Sequence, residues 1–182
     1  MSLRYTPYFC EENVWHLCAE PRFEGRDGRV AFISNPRRTC AFWCQRAAPS
    51  PWQPVIWDYH VIYLVRLAFG WEVWDLDSTL EVPTSAGTYL EATFGAKLPE
   101  RPQTDELSPL FRVLEAAVYR EQFSSDRGHM RGQDGAWLQP PPPWPSVVRP
   151  GVPSFLRWSM MADDDRDVLS LDELKRLLAL DS

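Results

Sequence analysis

Cys10, His60 and Asp75 bring together a thiol, an imidazole and a carboxylate, the three groups of a thiol-nucleophile active site. Cys10 lies in Tyr8-Phe9-Cys10-Glu11-Glu12-Asn13-Val14-Trp15, which reads as a loop entering a helix. His60 lies in Trp57-Asp58-Tyr59-His60-Val61 and Asp75 in Val73-Trp74-Asp75-Leu76-Asp77, which read as neighbouring strands. A thiol attacks as thiolate, and a helix N-terminus or an adjacent imidazolium favours that form. Glu11 and Glu12 oppose it electrostatically, so a cation is needed nearby, and His60 is the obvious supplier. His60 would take the thiol proton and return it to a leaving amine, while Asp75 holds the ring in one tautomer. Each residue also has a plainer reading. Cys10 could be a small buried hydrophobe, and His60 a satisfied core histidine. Asp75, between Trp74 and Leu76, needs a hydrogen-bonded partner if it is buried. One constellation accounts for all three placements.

These residues need elements to hold them. Glu11 to Glu20 has a helical spacing of apolar and small residues, ended by Pro21. Strands are expected over 29–34 and 40–45, and a longer pair over 55–66 and 71–76, both rich in β-branched and aromatic residues. Ala68-Phe69-Gly70 would be the turn of that last hairpin. Centred near Phe69, it sets Asp75 opposite Tyr63, an odd number of residues from His60, so a bulge or a diagonal contact is expected. Short helices are expected over 87–94 and 116–123, with a strand over 111–114 between them. The run Gln139-Pro140-Pro141-Pro142-Pro143-Trp144-Pro145 is polyproline-like and unsuited to a central strand. Ser170 and Glu173 make a capping box for a helix over 171–180. Helices mixed with hairpins predict an α+β fold as a single domain, 1–182, with a central antiparallel sheet and flanking helices.

The 182 residues are 45% hydrophobic and 13% aromatic, enough for a sizeable core. A formal net charge of −6 argues against a nucleic-acid surface. No apolar run is long enough to span a bilayer, and the first residues have no signal-peptide core, so a cytoplasmic protein is expected. Cys10, Cys18, Cys40 and Cys44 are expected to be reduced thiols. Cys40 and Cys44 are too few for a structural zinc site.

Beside this reading stands a resemblance. Phe9-Cys10-Glu11-Glu12-Asn13-Val14-Trp15 and Trp57-Asp58-Tyr59-His60-Val61 closely resemble the protein N-terminal glutamine amidohydrolase family. So do Ala31-Phe32-Ile33-Ser34-Asn35, Trp74-Asp75-Leu76-Asp77, Ser125-Asp126-Arg127-Gly128-His129-Met130 and Pro140-Pro141-Pro142-Pro143-Trp144-Pro145. The resemblance spans most of the chain, and the family's catalytic Cys, His and Asp fall on Cys10, His60 and Asp75. It implies a papain- or transglutaminase-like cysteine hydrolase fold and a cofactor-free enzyme without a metal. The implied reaction converts N-terminal glutamine of proteins or peptides to glutamate with release of ammonia, in an N-degron pathway. The implied setting is a cytoplasmic monomer, also nuclear if eukaryotic, with protein substrates and with neither nucleic acid nor membrane as partner.

The substrate's free α-ammonium needs an acceptor, for which Glu12, Asp58 and Asp126 are the candidates; the sequence does not choose among them. Asp163, Asp165 and Asp167 mimic the start of a calcium loop, but Val168 replaces the required Gly and Leu174 the bidentate Glu. The Pro-rich run suits a packed strap better than a ligand for a peptide-binding domain. Asp126, Arg127 and His129 suit a loop near the pocket, with Arg127 in an ion pair. Two rivals remain at this stage: a cysteine peptidase or N-terminal asparagine amidase of the same fold class, and a non-enzymatic adaptor presenting the Pro-rich run.

Overall fold

The structure is a computed structural model that describes residues 3–95, 105–162 and 165–180. Asp163 and Asp164, part of the acidic run noted in the sequence, lie outside the described residues. Five antiparallel strands form the central sheet: β1 (Gly28–Ser34), β4 (His60–Leu67), β5 (Gly70–Trp74), β6 (Thr84–Ser85) and β7 (Leu110–Glu115). Their order across the sheet is β6-β5-β4-β1-β7. A separate ribbon pairs β2 (Cys40–Phe42) with β3 (Val55–Trp57). The helices are α1 (Cys10–Leu17), α2 (Ala86–Phe94), α3 (Ala116–Gln122) and α4 (Leu171–Leu177).

Strand alternation divides the core in two. Val30, Phe32, Val61, Tyr63, Val65 and Trp74 point to one face and pack with Cys10, Val14 and Leu17 of α1 and Tyr119 of α3. Ala31, Ile33, Ile62, Leu64 and Val73 point to the other, against Tyr89, Leu90 and Phe94 of α2 and Leu174 of α4. The result is α+β, a central sheet with helices on both faces. Among the described residues no helix is long and apolar enough to cross a membrane.

Two sequence expectations are corrected. The expected strand 55–66 is two strands in different sheets, broken where the Asp58 carboxylate accepts the N–H of Tyr59 at 2.9 Å and turns the chain. The hairpin turn is also one residue shorter than expected. Leu67 pairs with Gly70, leaving Ala68 and Phe69 as a two-residue turn, and Gly70 takes φ +131°, a conformation open to glycine. Tyr63 therefore faces Trp74. Continued past the strand end, this register sets Asp75 against Ile62, an even step from His60, so no bulge is required. The capping box of α4 is present as expected.

Candidate active site

The nucleophile candidate is the first residue of α1. Asn13 fixes the loop entering that helix: its side chain accepts from Thr6 N–H at 2.9 Å and donates to Thr6 carbonyl at 2.8 Å. Tyr8, at φ +68°, turns the chain just ahead of Phe9 and Cys10. α1 packs on β4, so the start of the helix lies against the start of the strand, where His60 begins β4. Cys10 and His60 line one cavity of about 420 Å³ with Asp77, and Tyr8, Trp57, Tyr59, His129, Met130, Leu138 and Leu156 supply its mainly apolar walls.

His60 Nε2 stands 2.8 Å from Asp75 Oδ1, both side chains buried. That partner assigns the ring proton to Nε2 and leaves Nδ1 with its lone pair. The imidazole is further fixed by a stacked Trp57 ring, centroids 6.2 Å apart at 15°, and by the edge of Phe42. Asp75 is saturated. Its Oδ1 also accepts the N–H of Asp77 at 3.0 Å, and its Oδ2 accepts Gln45 Nε2 and Tyr89 hydroxyl, each at 2.9 Å. Trp57 Nε1 donates in turn to Gln45 Oε1 at 3.4 Å. Gln45 and Tyr89 gave no sequence signal of this role; both lie on elements whose approach to Asp75 exists only in the fold.

Burial sets the charges here. Desolvation disfavours the His60 cation, but the charge and hydrogen bond of Asp75, with Asp77 and Glu11 beyond, outweigh it and raise the ring's pKa above 6.5. Burial likewise works against the Asp75 anion, yet His60, Gln45 and Tyr89 hold its pKa below the ordinary 3.8. The Cys10 thiol is pushed well up, first by burial and then by Glu11 and Asp77. Burial and these two carboxylates thus oppose the thiolate that the helix start was expected to favour.

The carboxylates proposed as ammonium acceptors are scattered. Glu12 is fully buried but does not line the cavity: Arg127 Nε and Nη2 each reach it at 2.7 Å, and Trp144 Nε1 donates to it at 2.8 Å. Arg127 also donates to the carbonyls of Pro142 and Trp144, so the Pro-rich run is latched to α1 as a strap. Asp58 is exposed at the cavity rim in an ion pair with Arg38 at 2.8 Å. Asp126 is exposed, and its carboxylate accepts Gly128 N–H at 2.8 Å. His129 enters the cavity wall, 3.3 Å from the Tyr59 hydroxyl.

His60, Asp75 and Asp77 bring potential ligand atoms within 4.8 Å of one another. A cation there would compete with the His60–Asp75 hydrogen bond, because all four acceptor directions on Asp75 are engaged. The four cysteines are all free thiols.

Residues 5–177 match the profile of a family described as N-terminal glutamine amidase. The chain is 42% identical over 150 residues to the protein N-terminal glutamine amidohydrolase of Drosophila grimshawi. It is 41% identical over 150 residues to the protein of that name from Drosophila willistoni and over 149 residues to that from Drosophila erecta. Each alignment covers 79% of this chain and 71% of the relative.

Proposed function

The chain belongs to the N-terminal glutamine amidase family, and from that premise we propose how its residues carry the reaction. The substrate is a protein or peptide with glutamine at a free N-terminus. The side-chain carboxamide is hydrolysed to the carboxylate of glutamate, and ammonia leaves. Cys10 Sγ attacks the carboxamide carbon while His60 Nδ1 takes the thiol proton. The imidazolium then protonates the departing nitrogen, leaving a thioester on Cys10. Water, deprotonated by the same ring, hydrolyses the thioester and frees the thiol. The N–H of Cys10, first in its helix, is the oxyanion donor in this reading.

The observation that carries this reading is the 2.8 Å bond from buried Asp75 to His60, which lines one cavity with Cys10. It orients an imidazole whose Nδ1 lone pair takes no hydrogen bond from any described donor, and Asp75 raises the ring's pKa so that it can carry the proton. A nucleophile at a helix start packed on an antiparallel sheet that presents the histidine supports a papain- or transglutaminase-like relationship. We read the protein as a cytoplasmic monomer, also nuclear in a eukaryote, acting in an N-degron pathway without nucleic acid or membrane. The strap latched to α1 speaks against a role as an adaptor displaying that segment.

The test is ammonia release from a peptide beginning with glutamine, with mass spectrometry of the product. The amide should become an acid at the first residue and nowhere else, and Cys10→Ser should abolish this while unfolding as the wild type does. Cleavage of the peptide bond, or near-normal turnover by folded Cys10→Ser, would refute the assignment.

A further inference from the structure

Behind the cavity wall formed by Tyr59 and His129 lies a second carboxylate–imidazole contact that the mechanism does not use. Glu11 follows the nucleophile directly and is fully buried. Its Oε2 is 3.7 Å from the Cys10 thiol and 3.4 Å from the Tyr59 hydroxyl, both long for hydrogen bonds. Its Oε1 takes no hydrogen bond among the described residues; His129 Nε2 lies 3.5 Å away without the alignment for one. No guanidinium or lysine ammonium stands within ion-pair distance of Glu11 among the described residues. A buried carboxylate with no hydrogen-bonded cation is costly to keep. The cost is greater here because Glu11 also opposes ionisation of the thiol beside it.

We propose that Glu11 is the counter-charge for the α-ammonium of the N-terminal glutamine, with the Tyr59 hydroxyl and the His129 ring completing the subsite. The proposal rests on the functional reading above and names the part of the site that reads the substrate's free N-terminus. An ammonium carries the positive charge and the N–H donors that Glu11 lacks. Tyr59 and His129 line the cavity in front of it, and the Tyr59 hydroxyl, which donates to Glu11, can also accept. The His129 side chain retains 14% exposure on a short turn, Gly128–Met130, and turns aside to admit the amine.

The reach is right. The carboxamide carbon of glutamine is four bonds from its α-nitrogen, so a carbon in contact with Cys10 Sγ leaves the ammonium beside the carboxylate of the next residue. The other acidic groups fit less well: Glu12 is saturated, Asp58 is paired in solvent and Asp126 caps a turn. Asp77 lines the cavity, but its Oδ1 already accepts the Tyr5 hydroxyl at 2.7 Å.

Binding of the ammonium has a second effect. It cancels the charge that, after burial, most strongly holds the Cys10 proton in place. Recognition of a free N-terminus then eases transfer of that proton to His60, so an amide without the ammonium meets a less reactive nucleophile.

The test compares two peptides, one beginning with glutamine and one identical but with the α-amine replaced by hydrogen. The wild type should favour the first strongly. In Glu11→Gln the ratio of the two kcat/KM values should fall by about 100-fold, the loss expected for a charged hydrogen-bond partner. Alkylation of Cys10 by iodoacetamide, followed by peptide mass spectrometry, should move to lower pH in the same variant. Tyr59→Phe should lower the ratio less, and it serves as the second probe if Glu11→Gln does not fold. A purely structural role would reduce both peptides together and leave the ratio unchanged, which would overturn the proposal. So would a ratio that survives in Glu11→Gln and collapses in Asp77→Asn. If the wild type acts on neither peptide, the functional reading itself has failed; a selective wild type with an equally selective Glu11→Gln refutes Glu11 alone.

Discussion

Adjacent residues of one helix show how differently a fold can treat the same side chain. Glu11 and Glu12 are both fully buried. On the strap side, Glu12 meets a two-pronged guanidinium and an indole N–H, and nothing is left for a ligand to satisfy. On the cavity side, Glu11 has weak contacts and an oxygen with no donor. Asp75, buried behind His60, is as saturated as Glu12, but one of its donors is an imidazole that can change protonation. In a medium of low dielectric, saturation fixes geometry, and an open valence or a titrating partner leaves room for chemistry. The strap side should therefore govern stability, and the cavity side rate and selectivity.

The sharpest way to break that division is at Asp75. Asp75→Asn should leave the protein folded and lower kcat by about 10³–10⁴, since the amide can stabilise the wrong imidazole tautomer. The pH profile adds a signature. His60 must be neutral to accept the thiol proton, so activity is present above its raised pKa and lost as pH falls through it. The wild-type acid limb should lie above 6.5. Without the Asp75 charge, burial is opposed only by the weaker influence of Asp77 and Glu11, and the limb of the residual activity should move down. A limb that stays in place would detach His60 from the acid limb. Asp77→Asn should cost less than Asp75→Asn, and the reverse would reassign the orienting carboxylate.

Arg127→Met probes the strap side. It strands the Glu12 charge in the interior and should destabilise the protein by about 3–5 kcal/mol in denaturant titration. Adding Glu12→Gln should recover part of that loss, because the uncompensated charge is gone. At temperatures where Arg127→Met remains folded, kcat should change far less than in Asp75→Asn. Equal losses of rate and stability would mean that the two sides of α1 are not separable. The smallest effect belongs to Asp58→Asn. Its pair with Arg38 leaves both side chains about half exposed, so stability should shift by less than about 1 kcal/mol.

Local patterns in the sequence announced most of the elements. The apolar spacing after Cys10, the β-branched runs of β1, β4 and β5, and the Ser170–Glu173 capping box each carry their cause within a few residues. His60 and Asp75 stood out as candidates because a charged or polar residue inside an apolar strand needs a reason. Two kinds of information were not local. The hairpin register turned on whether the turn held two residues or three, and the sequence does not display the φ of Gly70. The partners of the carboxylates were also hidden. Glu12 reads as a candidate acceptor for the substrate ammonium, whereas Arg127 and Trp144 reach it from far along the chain, and Gln45 and Tyr89 reach Asp75 from separate segments. Asn35 was visible only as part of a motif. Its amide joins the carbonyls of Thr39, Glu106 and Ser108, ordering the loop beside β2.

The latch between α1 and the strap also bears on the order of events during synthesis. Glu12 and Trp144 are 132 positions apart, and Arg127 is 115 positions from Glu12. A ribosome releases the nucleophile early and the residues that neutralise its neighbour late. Until the strap emerges, the start of α1 carries two uncompensated acids and cannot be buried cheaply against β4. The start of the helix can thus be fully neutralised on its strap side only when most of the chain exists.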